Sequence, residues 1–179
     1  MWSRFNGRRR GKVTGTRRLH SRRRPARFVE SLEARVVLAS TVVINEIHYD
    51  PDLKAENVEF VELYNDSASS VDLSHWFFSD GMTYNFPVGT TLDPHGYLVV
   101  AQDPAALLAK FNTVALGPWT GKLSNDGDSV VLHDSSGAIA DRVDYGVGFP
   151  WPIVGDPPGY SIELINPALD NNLGGSWRT

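Results

Sequence analysis

Glu46, His48 and Asp50 stand at alternate positions, so on an extended strand their side chains share one face. A carboxylate–imidazole–carboxylate row of this kind can ligate a metal or pass a proton between an acid and a base. Glu59 and Glu62 are close enough in sequence to join it. The same residues also suit a solvated strand end running into the turn dipeptide Asp50-Pro51, and the sequence favours that reading. Glu59 and Glu62 are separated by an odd number of positions, which puts them on opposite faces of a regular strand. One of them then points inward and needs backbone N–H donors, and Glu62 is expected to be that structural carboxylate.

Asn125-Asp126-Gly127-Asp128, followed by Asp134, gathers the oxygen ligands that calcium favours. The spacing is not D-x-[DN]-x-[DN]-G with a closing glutamate, so it is no EF-hand. A tight turn carrying surface acids is expected, with Asp126 and Asp128 capable of weak calcium binding at most. The five histidines, His20, His48, His75, His95 and His133, are scattered. No H-E-x-x-H, G-x-S-x-G or P-loop occurs, so metalloprotease, serine-hydrolase and nucleotide-binding readings lack support, and no catalytic residue is assigned. The absence of cysteine excludes disulfides, zinc fingers, iron–sulfur sites and thiol nucleophiles. Trp119, Trp151 and Trp177 are candidates for an aromatic binding patch. Trp177 is expected to plug the end of the fold, which leaves Trp151 as the exposed binding candidate.

The elements that must position these residues read as β-structure from Thr41 onward. Strands are expected over Val42–Ile47, Val58–Tyr64, Val71–Leu73, His75–Phe78, Thr83–Phe86, Tyr97–Ala101 and Tyr160–Ile165. Ser129–His133 and Ile139–Tyr145 flank Asp134-Ser135-Ser136-Gly137 and read as a hairpin. One helix interrupts, with Asp103 as cap, Pro104 at its first position and helix formers through Phe111. Pro150–Gly159 reads as a surface loop. About eight short strands between Gly, Pro and Asn turns predict an antiparallel sandwich.

Composition divides the chain in two. Its 179 residues suit one domain with an extension, and no apolar run is long enough for a transmembrane helix. Residues 1–40 hold 12 Lys+Arg against 2 Asp+Glu, a net of +10, while residues 41–179 carry a net of −14. The arginine clusters Arg8–Arg10, Arg17–Arg18 and Arg22–Arg24 repel one another with little apolar area to offset ordering, so disorder is expected to about Arg27. Phe28–Leu38 has the spacing of a short amphipathic helix. Such a tail is a solvated extension, an arm that neutralises nucleic-acid phosphates through residues 1–27, or an export segment. The acidic body should repel nucleic acid and anionic membranes.

Two resemblances sharpen this reading. The stretch from Arg27 to Ser40, with Leu32-Glu33-Ala34-Arg35 followed by aliphatics, resembles the R-F-x-x-L-E-x-R-x-L-L-S motif near the N-termini of planctomycete surface and exported proteins. Ala34 stands where that family usually has proline. The body is similar to the lamin tail domain of nuclear lamins and many bacterial extracellular proteins. The similarity is carried by Ile44-Asn45-Glu46-Ile47, Glu59 to Asn65, Asp72-Leu73-Ser74-His75-Trp76, Leu92 to Val100, Leu123 to Leu132, Asp141 to Tyr145 and Ser176-Trp177-Arg178. His75 replaces the glycine common in D-L-S-G-W, and a tolerated turn variant is expected.

The resemblance implies an all-β, immunoglobulin-like antiparallel β-sandwich, and with the element reading this gives a domain over residues 41–179 with one short helix, behind the basic tail over 1–40 that the charge pattern marks as disordered. It implies a non-catalytic interaction module of a cell-surface or secreted bacterial protein, contacting another protein or a surface polymer; the residues themselves call for no cofactor beyond weak calcium. The alternatives are a cytoplasmic nucleic-acid-associated protein and a metal-dependent hydrolase around Glu46, His48 and Asp50.

Overall fold

The computed structural model describes residues 41–154 and 159–179. The basic segment 1–40, with its expected disorder and its expected helix over 28–38, lies outside the described residues, as do positions 155–158 of the expected loop.

Twelve strands and one α-helix follow one another in the described residues. They are β1 (Val42–His48), β2 (Phe60–Asn65), β3 (Val71–Asp72), β4 (Phe77–Ser79), β5 (Met82–Asn85), β6 (Thr91–Leu92), β7 (Tyr97–Ala101), α1 (Pro104–Phe111), β8 (Thr120–Gly121), β9 (Asp128–His133), β10 (Ile139–Tyr145), β11 (Ile162–Leu164) and β12 (Trp177–Arg178). One sheet has the order β12-β11-β1-β2-β7 and a second the order β10-β9-β4-β5-β8, with β3 and β6 forming a two-stranded ribbon. The strand pairs in all three are antiparallel. The fold is therefore the expected immunoglobulin-like sandwich.

Alternation decides which face each strand buries. In β2, Val61 and Leu63 are fully buried while Phe60, Glu62 and Tyr64 lie on the opposite face. Val42, Ile44 and Ile47 of β1, Phe78 of β4, Val130 and Leu132 of β9 and Val143 of β10 complete the inner layer from both sheets. Each such side chain contributes about 1.5–3 kcal/mol by leaving water.

Polar groups fix the joints. Asp141 on β10 accepts the Ile44 N–H of β1 at 2.7 Å, the Asn171 amide at 2.8 Å and the Arg142 N–H at 2.8 Å, so one carboxylate ties the two sheets together. Asp80 and Gly81, with φ of 57° and 68°, make the two-residue turn between β4 and β5 that matches the strand twist. Asp103 caps α1 by accepting the N–H groups of Ala105 and Ala106, with Pro104 at the start, as its sequence predicts. The Asp134 carboxylate accepts the Ser136 and Ala138 N–H groups and closes the β9–β10 hairpin. Leu107 of α1 packs with Val58 and Ala101, so the helix covers one end of the first sheet's outer face.

Candidate functional site

The outer face of the first sheet carries charge where the register places it. A bulge in β1 between Ile44 and Glu46 inserts Asn45, and this shift brings Glu46 opposite Glu62 of β2. Glu46 also faces Glu163 of β11, so three carboxylates stand side by side across three adjacent strands. Like charges directly opposite one another destabilise a sheet. Each carboxylate has one local partner. Arg178 of β12 pairs with Glu163 at 2.9 Å, the Ser161 hydroxyl donates to Glu46 Oε1, and the Asn45 amide donates to Glu62 Oε1 at 3.0 Å. Burial pushes both the Glu46 and Glu62 carboxyls up from their ordinary value, and neighbouring carboxylates add to the rise.

Beside this row lies His48, only 2% exposed. Its ring stacks on Phe60 with centroids 5.1 Å apart and planes 9° apart, and meets Phe111 of α1 edge-on at 5.7 Å. Nδ1 lies 3.2 Å from the Val58 carbonyl oxygen and Nε2 lies 3.3 Å from that of Gly159. Burial holds the imidazole below its ordinary pKa, against the two carbonyl contacts, which act in the opposite direction. Glu46, His48, Phe60, Glu62, Phe111 and Ser161 line a cavity of about 280 Å³ between the C-terminal end of α1 and the carboxylates.

The sequence model of the lamin tail domain family matches residues 38–147. The chain belongs to the lamin tail domain family. Members of this family are immunoglobulin-like modules that generally mediate interactions and are not known for catalysis. A comparison with curated proteins finds no match for the chain.

This lamin tail domain brings together only part of what the sequence proposes. Glu46 and His48 share the cavity, but Asp50 does not join them. The strand ends at His48, and Tyr49 turns into the core at 1% exposure, where its ring stacks on Tyr145 at 4.7 Å. Asp50 then accepts the Asn125 amide beyond the strand end. Among the described residues, no group of three or more His, Asp or Glu side chains is arranged to hold a metal.

The inward carboxylate is Glu59, not Glu62. Glu59 shares the parity of Val61 and Leu63 and is completely buried, so it accepts the Leu123 N–H at 2.9 Å. Glu62 falls on the opposite, half-buried face. Burial lifts the Glu59 carboxyl to about 7. Among the described residues, Lys122 lies 3.9 Å from Oε1 and Oε1 has no hydrogen-bond partner.

In the Asn125–Asp128 turn, the Asp128 side chain and the Asp126 backbone make local hydrogen bonds. Asp128 accepts the N–H groups of Ser124 and Ser129, and the Asp126 N–H donates to the Ser124 hydroxyl. Trp151 is half-buried rather than exposed. Its ring lies 6.1 Å from that of Trp177 and closes over Gly146, whose missing side chain leaves the space. Trp177 is 4% exposed and donates its indole N–H to the Asn171 carbonyl, so it does close the end of the sandwich. Sequence reasoning missed Glu163, Phe60 and Phe111 as neighbours of Glu46 and His48. The outward parity of Phe60 and Glu62 was the signal available for part of that set.

Proposed function

We propose that this lamin tail domain is a non-catalytic interaction module of a cell-surface or exported bacterial protein, contacting another protein or a matrix polymer. Family membership joined to the charge division carries the reading. The body has a net charge of −14 and bears paired carboxylates on an outer sheet face, a surface suited to cationic partners rather than to nucleic acid or anionic lipid. The export half is supported by the arginine-rich segment and by the Arg27–Ser40 stretch that resembles a planctomycete export motif. Hydrolysis at Glu46, His48 and Asp50 loses its support because Asp50 is engaged by Asn125 away from the other two.

Intact mass and cell fractionation of the native protein test the reading. Recovery outside the cytoplasm, with the mass lowered by about 40 N-terminal residues as expected for a cleaved export segment, is the expected result. A cytoplasmic protein with its basic segment intact would contradict it. The alternative, a nucleic-acid arm, then predicts DNA binding that falls steeply with salt and disappears when residues 1–40 are removed.

A further inference from the structure

We propose that the cavity between α1 and the glutamate row receives an arginine side chain presented by a partner protein. This deepens the reading of the domain as an interaction module and rests on it.

The walls and rim of the cavity have complementary chemistry. Phe60 and His48 form a stacked aromatic pair on one side, and the Phe111 ring stands against it. Glu46 and Glu62 sit in register on adjacent strands, and each commits Oε1 to an internal donor, Ser161 or Asn45. Their Oε2 atoms accept no hydrogen bond among the described residues, and neither carboxylate has a cation of its own. Arg178 is held by Glu163, and Lys110 by Asp52 and Glu56. The fold thus keeps two partly desolvated like charges beside each other, an arrangement that costs stability until a cation enters between them.

The geometry favours arginine over other cations. A guanidinium is planar, weakly hydrated, stacks on aromatic rings and forks its N–H donors to two acceptors at once. A metal ion would need a third ligand, but both ring nitrogens of His48 face backbone carbonyl oxygens, and among the described residues no group of three His, Asp or Glu side chains is arranged to hold one. An ammonium offers a point charge and no planar face for the aromatic walls. A cavity of about 280 Å³ suits one side chain from a loop or strand rather than a whole helix laid in a groove.

The test is a nuclear magnetic resonance titration of the full chain with a blocked Gly-Arg-Gly peptide, following the ring signals of His48 and Phe111. Matched peptides carry lysine or glutamine in place of arginine. Saturable shifts of both rings with the arginine peptide are expected, with several-fold weaker binding of the lysine peptide and none of the glutamine peptide. The double variant Glu46→Gln with Glu62→Gln should bind at least about tenfold more weakly and melt no lower than the parent, because a like-charge pair has been removed. The single variants, each expected to weaken binding several-fold, decide the matter if the double variant does not fold.

Unperturbed His48 and Phe111 signals, undiminished affinity in the variants, or a lysine peptide that binds as well as the arginine one would overturn the proposal. Saturable shifts confined to another face would also overturn it, while leaving the interaction-module reading standing.

Discussion

Replacing Glu59 with glutamine should stabilise the domain above neutrality and leave its stability almost unchanged in mild acid. The Glu59 side chain is 0% exposed, one oxygen accepts the Leu123 N–H, and the other has no hydrogen-bond partner, with Lys122 3.9 Å away. Loss of hydration raises its pKa from 4.5 to about 7. Between those two values the folded protein holds a proton that the unfolded chain releases, so stability falls as pH rises through the window. The stabilisation is complete below the unfolded value and gone above the folded one. A rise of this size is worth about 3 kcal/mol, using roughly 1.4 kcal/mol per pKa unit. Glutamine keeps an acceptor for Leu123 and cannot ionise, so the variant escapes the loss. Urea unfolding of both proteins from about pH 4 to about pH 8 should show a difference that grows from near zero to about 3 kcal/mol, or on the order of 10 °C in Tm. A constant difference, or a variant that becomes the weaker one at high pH, would refute the reasoning by showing a carboxylate stabilised in its ionised form.

Asp141→Ala should cost about 3 kcal/mol in chemical denaturation, because it leaves the Ile44 N–H and the Asn171 amide without their acceptor at the joint between the sheets. His75 is exposed and sits at φ 67°, a conformation in which a side chain is strained, so His75→Gly should raise stability by about 1 kcal/mol in the same assay. Gly117→Ala should lower stability by more than about 2 kcal/mol in the same assay, because an added Cβ would stand 2.4 Å from the Ala101 carbonyl oxygen at φ 137°.

The strands were readable because alternation and turn chemistry agree along the chain. The β9–β10 hairpin around Asp134–Gly137 and the Asp103-Pro104 helix start are local signals with local causes, and both occupy their expected places. The glycine common in D-L-S-G-W is explained by the left-handed turn, which His75 adopts here at φ 67°. Local rules fall short where the deciding anchor comes from elsewhere in the fold. Odd separation correctly placed Glu59 and Glu62 on opposite faces, but the inward face was set by Val61 and Leu63, and that parity assigns Glu59 to the core. Trp151 looked exposed because its loop is rich in proline and glycine, yet Gly146 and Trp177 make a place for its ring. The carboxylate row was hidden for a different reason. Glu163 lies far along the chain from Glu46, and their meeting depends on strand order, while Glu46 meets Glu62 through the bulge at Asn45. Phe111 reaches the cavity only because α1 folds back over the first sheet.

Labelling intact cells and their medium with a membrane-impermeant amine reagent tests the surface or export claim most directly. Lys122, whose side chain is 54% exposed, reports on the body of the domain. Lys122 should be labelled as fully before lysis as after it. Labelling that appears only once the cells are broken would contradict it.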